Sequence, residues 1–253
     1  MKKLAMLVGN DRYKIHPLKN AVNDANTLSK TLESLGFECV CLNNIGILEL
    51  TDELQEFGRR LNVADVGLFF FAGHGFQIDG KNLLASIDID FDSDSEIAMK
   101  KKSTELVDVI ATINSSSVAV KIVILDACRS SLAFGRGITN TGIASVSAPK
   151  GCIIAFSTSP GQDAKDGESN HGVYTGALLK HITEKGTSVE DMFKQVRRSV
   201  SVSTDDEQIT WEHTSLVGHF SFNPEDEESL TSSSTQGIDD SSEDTKRSNS
   251  SAD

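Results

Sequence analysis

The feature that most restricts the fold of this 253-residue chain is a set of short, continuously apolar runs separated by segments of helical periodicity. The predicted strands cover residues 4–8, 66–71, 121–125 and 152–156, and all of these residues except Lys121 are apolar or glycine. A strand that is apolar at every position is buried on both faces, as strands of parallel sheets are. Parallel strands need long crossover connections, which are usually helices. We therefore expect an α/β domain with a mostly parallel sheet flanked by helices on both faces.

The connecting segments support this prediction. Apolar residues recur at three- to four-residue intervals in three of them, and two further helices are expected near the end of the fold. The five predicted helices cover 21–35, 50–61, 106–113, 173–183 and 188–199. Gly36 should end the first helix. A further strand is expected at 37–42, a loop over 130–150, and an extended segment over 211–222.

Composition divides the chain into one domain and a tail. Residues 224–253 are rich in Ser, Asp and Glu and contain no aromatic residue. Such a segment buries too little apolar surface to offset the entropy of ordering it, so we predict a disordered acidic tail. Residues 1–223 are sufficient for a single domain with a sizeable core.

Charge and cysteine content restrict the partners and the compartment. A net charge of −13 argues against nucleic acid as the main partner. No apolar run is long enough to span a membrane. The apolar start at 4–9 is too short for a signal peptide and is interrupted by polar residues, so a first strand is expected there. Four cysteines are few for this length, which favours a reducing, cytoplasmic location. Cys39, Cys41 and Cys152 fit packing positions better than metal-ligand positions.

Two of the apolar runs end in reactive side chains. The run at 66–71 continues into Ala-Gly-His-Gly at 72–75, and the run at 121–125 continues into Asp-Ala-Cys-Arg at 126–129. Ligand sites of open parallel sheets lie beyond the carboxyl ends of the strands, so His74 and Cys128 are expected at one edge. Taken singly, each residue is more commonly structural. A thiol and an imidazole at two such strand ends favour a cysteine peptidase.

The same two motifs supply the other groups that peptide hydrolysis needs. Cys128 can attack the scissile carbonyl, and His74 can accept the thiol proton or protonate the leaving amine. Glycines at 73 and 75 let the backbone approach a substrate closely. The N–H groups of Gly75 and Cys128 are candidate donors to the oxyanion. A histidine about 50 residues upstream of Ala-Cys-Arg has the spacing of a caspase-type peptidase.

These motifs resemble those of the caspase-like peptidases, in particular the metacaspase, paracaspase and bacterial caspase-like branch. The resemblance covers about residues 3–222 and includes four supporting segments, at 7–13, 18–25, 157–164 and 211–216. It implies a caspase-like (caspase-hemoglobinase) fold for residues 1–223. About 1–135 would be large-subunit-like and about 150–223 small-subunit-like. It implies no organic cofactor.

Asp126 distinguishes the branches of this family. Aspartate-cutting caspases carry Gln at this place, whereas metacaspases and paracaspases carry an Asp that helps to form an acidic pocket for Arg or Lys. Residues i and i+2 of an extended segment share a face, so the Asp126 carboxylate is expected on the side of the Cys128 thiol. The resemblance makes Asp24 the second pocket acid and Asp163 the third. Three carboxylates suit the guanidinium of arginine better than the ammonium of lysine.

Several alternatives remain open at the level of sequence. Asp24 could be a helix-start charge and Asp163 a turn residue. His171 is expected in a surface turn without a role. Some metacaspases bind activating calcium, but the acidic loop at 88–96 does not match an EF-hand, so a solvated loop is favoured. Arg136 and Lys150 are candidate self-cleavage sites in the loop between the two parts.

The expected function is therefore a cysteine endopeptidase that cuts protein or peptide substrates after Arg, or after Lys. The alternatives are a catalytically silent caspase-homologous interaction module, and a gingipain-like or legumain-like peptidase of the same clan. The oligomeric state is open between monomer and homodimer. No recruiting domain is recognised ahead of the catalytic region, so partners are expected to bind through the tail or to be supplied in trans.

Overall fold

The computed structural model describes residues 1–127, 146, 148–159 and 170–225, and the following elements belong to these ranges. The strands are β1 (Lys3–Gly9), β2 (Phe37–Asn43), β3 (Val66–Gly73), β4 (Gly75–Ile78), β5 (Lys81–Ala85), β6 (Ser103–Glu105), β7 (Val120–Ala127), β8 (Cys152–Phe156) and β9 (Trp211–Thr214). The helices are α1 (Ala21–Ser34), α2 (Ile47–Leu61), α3 (Glu96–Lys101), α4 (Leu106–Asn114), α5 (Val173–His181) and α6 (Val189–Ser203).

The main sheet has six strands in the order β2-β1-β3-β7-β8-β9. Every neighbouring pair from β2 to β8 is parallel, and β9 runs antiparallel to β8 at the edge. All eight residues of β3 are buried. This arrangement confirms the predicted α/β class and its mostly parallel sheet.

The two faces of the sheet explain why the strands are apolar at every position. Alternate side chains of a strand point to opposite faces. Leu7 and Phe70 pack on one face against α1, α5 and α6. Met6 and Phe71 pack on the other face against α2 and α4. Both faces are covered by helices at the centres of these strands, so a polar residue of either parity there would be buried away from water.

A second, antiparallel sheet of three strands, β4-β5-β6, was not expected. Its first hairpin turns at Asp79 and Gly80, which have φ angles of 52° and 73°. Two consecutive positive φ values are those of the hairpin turn that Asp-Gly favours, so this dipeptide was the available signal. The small sheet packs Phe76 and Leu83 against Tyr13.

Close contact between β1 and α1 sets the position of the first helix. A Cβ added at Gly9 would lie 2.6 Å from the carbonyl oxygen of Ala21 and 2.9 Å from Cβ of Ala25. The absence of a side chain at Gly9 therefore lets the first turn of α1 lie directly over the end of β1. The helix stops before Gly36, whose φ of +83° is the left-handed conformation expected just beyond a helix.

The end of the domain differs from the prediction in detail. The extended segment expected over 211–222 is a strand only over Trp211–Thr214. Phe220 and Phe222 are nevertheless buried, with Phe222 packed on Phe37 at a ring-centroid distance of 6.0 Å. The predicted tail lies outside the described residues beyond Glu225, as does most of the loop predicted at 130–150. None of the described helices combines the length and apolar composition needed to cross a bilayer.

Candidate active site

His74 lies immediately after β3, in an aromatic enclosure. It is 4 % exposed. The ring of Tyr13 lies 4.5 Å from the imidazole, and the ring of Phe91 contacts it edge-on at 5.2 Å. The Tyr13 hydroxyl accepts the backbone N–H of His74 at 3.1 Å and donates to the carbonyl of Ala85 at 3.1 Å. Burial raises the pKa of Tyr13 above its ordinary value, so the hydroxyl stays protonated.

The orientation of the imidazole is set by a backbone carbonyl. Nε2 of His74 lies 2.7 Å from the carbonyl oxygen of His16. A carbonyl oxygen can only accept, so Nε2 carries the hydrogen and Nδ1 is the basic nitrogen of the neutral ring. His16 has a φ of 58°, a left-handed conformation that costs a non-glycine residue about 1–2 kcal/mol. The surrounding structure therefore holds this carbonyl in an unfavourable conformation that directs it at His74.

The register of the central strands brings the two motifs to the same edge. Gly73, the last residue of β3, is aligned with Ala127, the last residue of β7, and Ala72 is aligned with Asp126. His74 follows β3 directly, and Gly75 is the buried first residue of β4. Cys128 is the next residue after Ala127 in the sequence and lies outside the described residues.

Two carboxylates converge where α1, β7 and the start of α5 meet, and we call the space that they border the acidic pocket. Asp24, in the first turn of α1, is 2 % exposed. Gly172 donates its N–H to Oδ2 of Asp24 at 3.1 Å. A Cβ added at Gly172 would lie 3.2 Å from Oδ2 of Asp24 and 3.3 Å from Oδ2 of Asp126. Both carboxylates therefore border the same small space.

The proximity of Asp126 affects the ionisation of Asp24. The pKa of Asp24 is raised to about 6, mainly by burial and secondly by the negative charge of Asp126. Hydrogen bonds from His171 and Gly172 act in the opposite direction on this pKa. Asp126 accepts the hydroxyl hydrogen of Thr175 at 2.6 Å. The pocket therefore holds negative charge that a cation could neutralise.

The structure supplies pocket residues that sequence reasoning missed. His171 was expected in a surface turn, but its Nδ1 lies 2.7 Å from Oδ1 of Asp24 and its side chain is 26 % exposed. The sequence also gave no indication of a role for Thr175, which donates to Asp126, or for the fully buried Tyr174. Burial together with the charge of Asp126 holds the pKa of Tyr174 well above its usual value. The only sequence signal was the position of this segment beside the resemblance at 157–164. Asp163, the predicted third acid, lies outside the described residues.

The acidic loop at 88–96 is tied into the fold by ion pairs. Asp90 pairs with Lys14 at 2.5 Å, and Asp94 pairs with Lys102 at 2.8 Å. Ile89 of the same loop is buried, so the loop is anchored and only partly solvated. Within the described ranges, no group of three or more His, Cys, Asp or Glu side chains is arranged to hold a metal ion.

Comparison with known proteins identifies the family. The family model described as "Caspase domain" matches residues 2–221. The chain belongs to the caspase-domain family. Members of this family are cysteine peptidases, which agrees with the resemblance drawn from the two motifs.

Individual relatives of the caspase-domain family are distant. The chain is 24 % identical over 184 residues to the mucosa-associated lymphoid tissue lymphoma translocation protein 1 of Homo sapiens, and equally to its Mus musculus homologue. Each alignment covers 72 % of this chain but only 21 % of the relative, so the chain spans about a fifth of their length. A crystal structure of caspase-1 from Spodoptera frugiperda superposes with a TM-score of 0.64 at 18 % identity. The superposition covers 88 % of this chain and 92 % of that one, and it shows that the fold is that of a caspase.

Proposed function

We propose that this chain is a cysteine endopeptidase that cleaves peptide bonds after arginine, with lysine as the weaker alternative. The observation that carries the proposal is the pair of carboxylates from Asp24 and Asp126, which border one space at the edge where His74 lies. A neutral or acidic substrate side chain would leave this charge uncompensated. The guanidinium of arginine offers several donors in a plane and suits paired carboxylates best.

The proposed reaction uses Cys128 as the nucleophile and His74 as the acid and base. Nδ1 of His74 takes the thiol proton, and the thiolate sulfur forms a bond to the scissile carbonyl carbon. The N–H groups of Gly75 and Cys128 stabilise the resulting oxyanion. The carbon–nitrogen bond then breaks as the imidazolium protonates the leaving amine. Water, deprotonated by the same imidazole, hydrolyses the thioester and regenerates the thiol.

The specificity pocket is assigned to three acids. Asp126 precedes Cys128 by two residues in the sequence. The Asp24 carboxylate, on α1, borders the same space as the Asp126 carboxylate. Asp163 is proposed as the third acid because of its place in the segment that resembles paracaspases. Because a buried charged hydrogen bond contributes about 2–3 kcal/mol, we expect Asp24→Asn or Asp126→Asn to lower kcat/KM for an arginine peptide by about 30- to 150-fold.

The proposal is tested with matched fluorogenic peptides that end in Arg, Lys or Asp, each with and without calcium. Cys128→Ala should reduce cleavage after Arg by at least about a thousandfold. Cys39→Ala is the matched control, because burial raises the pKa of the Cys39 thiol to about 11 and it is remote from the proposed reaction. Cleavage after Asp would overturn the pocket assignment. Silence with every peptide would favour an interaction module instead of an enzyme.

Two secondary proposals accompany this function. Self-cleavage at Arg136 or Lys150 is proposed because both lie between the large- and small-subunit-like parts. Lys150 is exposed just before β8. N-terminal sequencing of active enzyme that found only an intact chain would exclude self-cleavage.

A reducing, cytoplasmic location is supported by the free thiols of Cys39, Cys41 and Cys152. The choice between monomer and homodimer is decided by sedimentation analysis.

A further inference from the structure

A histidine that the proposed reaction does not use lies against the acidic pocket. His171 lies just before α5, and its Nδ1 is 2.7 Å from Oδ1 of Asp24. Nδ2 of Asn23 lies 3.3 Å from the same ring nitrogen and donates to the carbonyl of Asn170 at 2.6 Å. The imidazole is therefore held against α1, and Asn23 also ties the turn before α5 to this helix.

The two contacts of Nδ1 require different protonation states. When Nδ1 carries a hydrogen it donates to Asp24, and when it does not it can accept from Asn23. The contact with Asp24 is shorter by 0.6 Å, as the difference between 3.3 and 2.7 Å shows, which favours the form with hydrogen on Nδ1. His171 thus donates to the pocket carboxylate, and it becomes a cation if Nε2 is also protonated.

The described charged and titratable groups around this contact come from four elements. Asp24 belongs to α1, Asp126 to β7 and Tyr174 to α5, while the charge of Arg197 in α6 acts to lower the pKa of Tyr174. Arg197 is ion-paired with Glu212. Asp24 is buried and Asp126 is half-buried. Two carboxylates that border one space tend to share a proton, because each disfavours ionisation of the other. A shared proton would weaken the attraction of the pocket for a basic side chain.

We propose that His171 is a specificity-determining residue that keeps the Asp24 carboxylate ionised and oriented towards the pocket, so that the pocket accepts a guanidinium group near neutral pH. This inference rests on the proposed arginine specificity and deepens it. His171 acts on substrate binding, in contrast to His74, which acts in the chemical step. Its contribution is a donated hydrogen bond and, when protonated, a positive charge.

Loss of His171 has a defined consequence for pH dependence. Gly172 would remain as a donor to Asp24. Burial and the charge of Asp126 would continue to raise the pKa of Asp24. Without His171 the Asp24 carboxyl should therefore take up its proton at higher pH than in the wild type. Binding of a guanidinium should weaken on acidification in both proteins, and the weakening should begin at higher pH in the variant.

The binding experiment uses agmatine, a guanidinium compound without a peptide bond, and isothermal titration calorimetry on the full chain between pH 5.5 and 8.5. We expect agmatine to bind His171→Ala about fivefold more weakly than wild type at pH 6.5, and less than about twofold more weakly at pH 8.5. His171→Gln keeps an amide donor and should fall between the two, and it serves if the alanine variant does not fold. His219→Gln, in an exposed position, is the matched control and should follow the wild type at every pH.

A second readout separates this inference from the proposed function. The carboxyl titration of Asp24, followed by ¹³C NMR and assigned with Asp24→Asn, should show a higher midpoint in His171→Ala. An unchanged midpoint, or an equal loss of agmatine binding at all pH values, would overturn the role of His171 while leaving the arginine pocket standing. No binding of agmatine by the wild type at pH 8.5 would overturn the pocket itself, and this inference with it.

Discussion

Replacing Asp24 by asparagine should stabilise the protein at neutral pH while it weakens the pocket. Asp24 is 2 % exposed, and its pKa is raised from 3.8 to about 6, mainly by burial and secondly by the charge of Asp126. A raised pKa means that the folded protein holds this proton more tightly than the unfolded chain does. The wild type therefore loses stability as the pH rises from about 4 to about 6, and the full penalty is present above that range.

The magnitude follows from the size of this shift. A change from 3.8 to about 6 is about two pKa units, and each unit corresponds to about 1.4 kcal/mol. The ionised carboxylate thus costs at most about 3 kcal/mol of folding free energy at pH 8. Asparagine has the same shape and can still accept the N–H of Gly172. We expect the free energy of unfolding of Asp24→Asn to exceed that of the wild type by about 1–3 kcal/mol at pH 8, and by less than about 0.5 kcal/mol at pH 4.

Urea unfolding at pH 4, 6 and 8 measures this difference, with circular dichroism used to check that both proteins are folded at each pH. A shift in the midpoint at constant slope reports stability alone. Asp52→Asn is the control, because Asp52 is exposed on α2. A variant no more stable than wild type at pH 8 would refute the reasoning, since Asp24 would then be a net stabilising partner of His171. A gain of equal size at pH 4 and pH 8 would refute it as well.

Two further predictions follow from close contacts in the fold. Tyr13→Phe removes the hydroxyl that joins the backbone N–H of His74 to the carbonyl of Ala85. We expect a loss of about 1–3 kcal/mol in the free energy of unfolding, and a kcat about tenfold lower with little change in KM. Steady-state kinetics with kcat unchanged would contradict this positioning role. Gly9→Ala places a Cβ 2.6 Å from a backbone oxygen of α1 and should cost more than about 2 kcal/mol in thermal or urea unfolding. Gly218→Ala, where nothing lies within 4 Å of an added Cβ, should be nearly neutral, and equal effects at both sites would count against the close approach of β1 and α1.

The hairpin at β4 and β5 shows how a local signal can be missed. Asp79 and Gly80 are adjacent and form a two-residue turn that sequence alone indicates. The flanking strands are short and were hidden by the stronger apolar pattern of β3. Ser188 is the converse case: it was predicted to open a helix, and its hydroxyl accepts the N–H of Asp191 at 3.1 Å.

The sequence by itself determined the alternation of strands and helices that builds the main sheet, because a strand buried on both faces must be apolar at both parities, as 66–71 is. It also determined that His74 follows a buried strand, since the change from apolar to polar residues marks the strand end. Only the tertiary structure decided that His171 meets Asp24, 147 positions away in the chain, and that the carbonyl of His16 is directed at His74. These contacts depend on the angle at which α1 crosses the sheet and on the path of the turn before α5. Such geometry is set by packing between distant segments, and no local periodicity of residues encodes it.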